Sequence, residues 1–214
     1  MLGIRYLRSY IGLVAFLGYM AAQKGSILIG GALTPQVTWI GFAGSEERSK
    51  PTPSFGLGAM SRYGLSDRLS LGLDLLFSLQ AQEDKWSEDD FSYKLRITYS
   101  YLKLPLQAVF GLGSGNVSVE LMGGLQPMIL ISGKYKTTIT SPDGSKETEE
   151  GSITEGLNSF VLGAVAGAGL RVGLSDNLFF APQLRFDHSL TNIYSDNDSK
   201  GRTGTVALLV GLYY

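Results

Sequence analysis

The chain has no cysteine and a single histidine in 214 residues. Without a thiol there is no disulfide scaffold, no thiolate nucleophile and no cysteine-ligated zinc or iron-sulfur centre. The same absence leaves no cysteine to carry an N-terminal lipid. Charge is scarce too: Asp, Glu, Lys and Arg make up 17%, against about a quarter in ordinary soluble domains. Eighteen basic residues against nineteen acidic ones give a net charge of -1, with no cationic excess to neutralise a phosphate backbone, so no nucleic acid partner is expected. Beyond the N-terminal segment, no window approaches the roughly 18 consecutive apolar residues of a membrane helix. Glycine is abundant instead, with 28 residues, about twice the usual usage. That points to tightly bent or closely packed strands, and the length suits one all-β barrel.

Residues 1–22 hold Arg5 and Arg8, an apolar run from Ile11 to Met20, and Ala21-Ala22 before the polar Gln23-Lys24-Gly25. A basic start, a short apolar stretch and small residues at its exit are the pattern of a secretory signal peptide. A spanning helix would need about 20 apolar residues. The expected organisation is therefore 1–22 signal peptide and 23–214 barrel.

The remainder alternates with period two. From Leu69 to Leu79 the odd positions are Leu69, Leu71, Leu73, Leu75, Phe77 and Leu79, and the even ones are mostly Ser, Gly and Asp. Similar two-faced stretches cover 27–39, 55–63, 102–112, 117–131, 160–172, 178–190 and 206–214, which predicts eight strands. Three connections are short and rich in Gly, Ser, Asp or Asn (64–68, 113–116, 173–177), as hairpins require. Four are long and collect the charge (40–53, 81–93, 134–157, 194–202). Tight turns on one side and long loops on the other match a transmembrane barrel with both chain ends on the short-turn side. Residues 92–100 alternate less cleanly, which predicts a bulge or a strand extension above the bilayer. Pro35, Pro105, Pro127 and Pro182 fall inside predicted strands, where each removes a ladder donor, and bulges are expected to accommodate them.

The composition of the two faces decides which one looks outward. A soluble sandwich would expose Lys and Glu, but the smaller face here is Gly, Ser, Thr, Gln and Ala with isolated charges. Apolar side chains facing lipid and small polar ones facing a narrow lumen account for both faces. Trp39, Tyr63, Phe110, Phe180, Phe186, Tyr213 and Tyr214 are candidates for interfacial girdles. The predicted lumen carries Arg62, Lys103, Arg171 and Arg185 with Asp74, Glu120 and Asp187. Unpaired buried charge costs several kcal/mol, so these residues are expected to form a polar network with Gln36, Gln107, Gln126 and Gln183. Eight strands leave an interior just wide enough for side chains to fill. The expectation is a plugged barrel, with a gated ion path as the competing reading.

At Tyr101-Leu102-Lys103-Leu104-Pro105-Leu106 the chain resembles the PorT-like outer-membrane β-barrel family of Bacteroidetes, with Lys103 standing where that family usually has an acid. The signal peptide, the Gly-Leu-Ser-Asp turns at 64–67 and 173–176, and the terminal Tyr213-Tyr214 are similar to it as well. The resemblance implies an eight-stranded outer-membrane barrel that the barrel-assembly machinery inserts through a terminal aromatic, here Tyr214. Some relatives look like accessory parts of the type nine secretion system.

A lipid A deacylase-like site would need His and Ser on one strand face with a carboxylate in reach. His188 shares its face with Phe186 and Leu190, while Asp187 and Ser189 point the other way, so no enzyme activity, cofactor or metal is expected. Asp196-Asn197-Asp198 is oxygen-rich but lacks the spacing of a full cation-binding loop. The leading functional expectation is a non-catalytic outer-membrane barrel in contact with lipid and lipopolysaccharide. It would stabilise the membrane or present its loops, 134–157 above all, to a protein partner. The alternatives are an accessory subunit of a secretion or assembly complex and a small channel.

Overall fold

The computed structural model describes residues 25–42, 49–88, 90–113, 115–195 and 201–214. The signal-peptide segment 1–22, Glu46-Glu47-Arg48 and Asp196-Asn197-Asp198 lie outside the described residues.

Period-two alternation becomes strand throughout: β1 (Ile27–Phe42), β2 (Thr52–Gly64), β3 (Leu69–Glu88), β4 (Phe91–Lys103), β5 (Leu106–Leu112), β6 (Val117–Thr140), β7 (Lys146–Ser152), β8 (Phe160–Ser175), β9 (Leu178–Ser189) and β10 (Gly201–Tyr213). Neighbours pair antiparallel, and β10 returns to β1 from Gly30↔Tyr213 to Phe42↔Gly201. Strands β4 and β5 both lie between β3 and β6 and are two halves of one wall strand, interrupted at Leu104-Pro105. The closed ring therefore has eight strands, as the alternation predicts. Tyr214 completes the seam, donating its N–H to Ile29 O at 2.7 Å and accepting from Ile29 N at 2.9 Å.

The prolines correct one expectation. No register shift occurs at Pro35, Pro127 or Pro182. Each interrupts the ladder with a single neighbour for two residues while pairing with the other continues. A strand residue directs its N–H to one side only, so losing it leaves the opposite ladder intact. Pro105 sits at the β4–β5 break, where the gap in pairing with β6 also absorbs the missing donor of Pro127.

Two of the four long connections are not loops. Strands β3 and β4 stay paired as far as Glu88↔Phe91, and β6 runs on to Thr140 and turns back as β7. Strands β3, β4, β6 and β7 thus continue past the ring as an overhanging sheet. The extension expected at 92–100 is this overhang. The bulge lies at its base, where Ser100 pairs Ser132 but Tyr101 pairs Leu130, leaving Ile131 unopposed.

The apolar face looks outward. Leu69, Leu71, Leu73 and Leu75 are all exposed, as are Leu33, Leu57, Leu106, Leu121, Leu125, Leu184 and Leu208 on other strands. The ten steps from Leu69 to Leu79 cover about 33 Å of strand, and a tilt of about 40° turns that into a belt roughly 25 Å tall. Tyr63, Phe110 and Tyr214 are exposed near the short-turn end. Trp39, Phe186 and His188 cluster toward the other end, with Phe186 6.1 Å from Trp39 and 6.4 Å from His188. Tyr213 is not a girdle residue: it points into the barrel at 1% exposure. It is one residue off the phase of Leu212 and Tyr214, and a strand's period sends it inward.

Candidate functional site

The interior is built by cross-strand pairing of long polar residues with glycine. Arg62 lies opposite Gly72, Gln107 opposite Gly72 on one side and Gly124 on the other, Glu120 and Gln183 opposite Gly169, and Arg185 opposite Gly167. The glycines make room: a Cβ at Gly72 would lie 2.5 Å from Arg62 Nη1, and one at Gly169 would lie 2.7 Å from Gln183 Cγ. This is the structural use of the high glycine content. In so narrow an interior, a glycine on the facing strand is what leaves room for several of the longest polar side chains.

Asp74 is the hub. Its Oδ1 accepts from Arg62 Nη1 at 2.8 Å, and its Oδ2 accepts from Gln107 Nε2 at 2.8 Å. Arg185 reaches it from across the barrel, with Nη1 at 2.9 Å from Oδ2, an ion contact lying off the hydrogen-bond axis. Arg185 is held in place by Nε and Nη2, which donate to Gln183 Oε1 at 3.1 and 2.8 Å. A second strut crosses the lumen from Lys103 Nζ to Asp187 Oδ2 at 2.9 Å. Gln36 donates to Ser78 Oγ and Leu79 O, both at 2.8 Å, and Gln80 donates to Thr205 Oγ1 at 3.1 Å. Nearer the short-turn end, Arg171 and Glu120 approach to 3.7 Å and Arg171 lies over the Phe179 ring. Arg62 lies over Tyr213, 5.4 Å from its centroid. All seven sequence-predicted lumen charges therefore point inward; six are buried and Arg171 is half-buried.

Two apolar clusters pack against this polar network, and the sequence reading missed both. Met60, Phe179, Ala181, Leu209 and Tyr213 pack together in the short-turn half of the interior, interleaved with the polar residues, Met60 lying opposite Asp74 and Leu209 opposite Gln183. Ile40, Tyr99, Tyr101, Met128, Leu157, Val161 and Ile193 pack together toward the long-loop end. The available signal was the run of methionine, valine and tyrosine on the inward phase of strands whose other inward residues are polar. Within the polar network, a cavity of about 10 Å³ lined by Gln36, Lys103, Gln126, Arg185 and Asp187, with Leu76 and Leu209 beside them, has room for roughly one water.

His188 lies on the outward face, half-buried, while Asp187 and Ser189 are buried inside, so these three side chains do not converge. Among the described residues, no group of three His, Asp or Glu side chains is placed to hold a metal ion.

A sequence-family model described as "Outer membrane protein beta-barrel domain" matches residues 21–195. No curated protein matches the chain. Among solved structures, it is similar to the outer membrane protein OprG from Pseudomonas aeruginosa (13% identity, 89% of this chain and 96% of that one, TM-score 0.46). It is also similar to Neisserial surface protein A (11%, 86% and 95%, 0.44) and to the attachment invasion locus protein Ail of Yersinia pestis (16%, 90% and 100%, 0.37).

Proposed function

We propose, from the premise that this chain belongs to the outer membrane protein β-barrel domain family, that it works as a non-catalytic barrel whose lumen is plugged by its own side chains. The chain is an integral protein of the bacterial outer membrane. The observation that carries the proposal is the closed cross-section: ion pairs from Arg185 to Asp74 and from Lys103 to Asp187 span the axis, and apolar clusters fill the space around them. An ion entering would have to break these pairs in a medium where an unpaired charge is costly. Its role is then mechanical and presentational, stiffening the membrane and holding the overhanging sheet outside it for a partner.

Reconstituted in planar bilayers, the protein is expected to give no discrete conductance steps. Reproducible steps that vanish on boiling the sample would replace this proposal with a small channel. The finer resemblance to PorT-like barrels of Bacteroidetes, and an accessory role in a type nine-like secretion complex, rest on the Tyr101 to Leu106 motif and the similar turns.

We assign Tyr214 the part of insertion signal for the barrel-assembly machinery, supported by its 76% exposure and its place at the closing seam. Tyr214→Asp is expected to lower the outer-membrane level several-fold in cell fractionation, with unassembled chain accumulating in the periplasm. Wild-type levels would remove the assignment.

A further inference from the structure

We propose that the outer face of the overhanging sheet binds phosphate groups of the outer-leaflet glycolipid through Arg96, Lys134 and Lys136. The bulge at Ile131 creates this face. Below it the even-numbered residues of β6, such as Gln126 and Met128, point into the barrel. Unbroken alternation would send Lys134 and Lys136 inward as well. The extra residue reverses the phase, so both lysines emerge on the lipid side, the re-aiming that bulges perform.

The resulting surface is arranged against its own stability unless an anion covers it. Arg96 lies directly opposite Lys136 and Lys85 directly opposite Lys94, and like charges facing each other across a ladder are destabilising. Two carboxylates relieve part of this. Glu83 takes Lys94 at 3.0 Å, Lys85 at 3.3 Å and Arg96 at 3.9 Å, and Glu150 takes Lys136 at 2.6 Å. Hydrogen bonds from Lys94 and from Lys136 hold the Glu83 and Glu150 carboxyls below the ordinary carboxylate range, so both are ionised. With Lys50, which lies opposite Glu83, six cations still face these two anions, and Lys134 attracts Glu150 without forming a salt bridge within 4.0 Å among the described residues.

Position selects the source of the anion. Ile129 and Ile131 are exposed on the same strand, and Lys134 follows Ile131 by three residues, about 10 Å along the strand. Long basic side chains there reach down to headgroup level while their stems cover apolar surface. Beside Lys134 a groove of about 540 Å³ is lined by Arg96, Thr98, Lys134, Lys136, Glu150 and Ser152, room for a phosphorylated sugar. The long-loop end of such barrels is the outer one, so the groove opens onto the outer leaflet.

The test uses the whole barrel, folded in detergent and checked by heat-dependent gel mobility, with native mass spectrometry as the readout. The probes are bis-phosphorylated lipid A, the same lipid stripped of phosphate, and inorganic phosphate. The wild type is expected to prefer the phosphorylated lipid. Replacing Arg96, Lys134 and Lys136 together with Gln should weaken it on the order of 100-fold. Glu150→Gln, which frees Lys136, should tighten binding several-fold, a gain that a folding defect would not produce. Equal binding of stripped lipid, or an unchanged triple variant, would overturn the proposal. So would inorganic phosphate binding as tightly as the lipid, which would make this a soluble-anion site. The inference needs only the outer-membrane placement, so conductance through the lumen would leave it standing.

Discussion

Asp74→Leu is expected to destabilise the folded barrel by about 3–5 kcal/mol, the usual cost of removing one partner from a buried ion pair. The cost comes less from the lost attraction than from what remains: Arg62 and Arg185 would keep their charge in a water-poor interior after losing their shared carboxylate. Gln107 would lose its acceptor as well. Leucine is larger than aspartate, so the loss would not be a cavity effect. Equilibrium unfolding of the detergent-folded protein in guanidinium, followed by the fluorescence of Trp39 and Trp86, would measure it. Pairing the change with Arg62→Met should recover part of the loss, because one orphaned charge goes with its partner and the two sites are in contact. A single variant within about 1 kcal/mol of wild type would mean that Asp74 does not organise the interior, and that the network is a set of weak independent contacts.

Leu73→Arg is expected to cost about 2–4 kcal/mol in lipid vesicles, while Leu174→Arg costs about 0–1 kcal/mol. The two leucines are equally exposed, at 52% and 56%, so surface area does not separate them. Depth does. Leu73 lies midway along the apolar alternation of β3, where an arginine would sit in hydrocarbon. Leu174 adjoins the β8–β9 turn, where the guanidinium reaches headgroups and water. Unfolding titrations of both variants, reconstituted in the same vesicles, give the comparison directly. Equal costs at the two positions would show that the exposed leucines of β3 do not meet the bilayer core.

The placement of the lumen charges was legible because it needs only parity. Once the Leu69 to Leu79 phase is known to face outward, Asp74 must face inward, and the same reasoning places Arg62, Lys103, Glu120 and Arg185. It places Tyr213 inward too, so naming that residue as a girdle aromatic set a composition argument above the strand's own period. The overhang was not legible. The upper part of β4 does alternate, with Phe91, Tyr93, Leu95, Ile97 and Tyr99 against Ser92, Lys94, Arg96, Thr98 and Ser100, but the facing segments 81–88 and 134–140 carry polar residues on both phases and give no period-two signal. A polar hairpin and a polar loop then look alike in sequence.

Composition and period therefore determined by themselves that this chain is an eight-stranded barrel with leucines outward, short turns at one end and a charged axis. Each of these follows from relations between residues close in the chain. Only the tertiary structure decided which charges meet, that Asp74 takes two arginines and Asp187 takes the lysine, and that one extra residue at Ile131 turns a row of cations toward the lipid. Those outcomes depend on the register between strands far apart in sequence. A shift of one residue there exchanges inward for outward while leaving every local pattern unchanged.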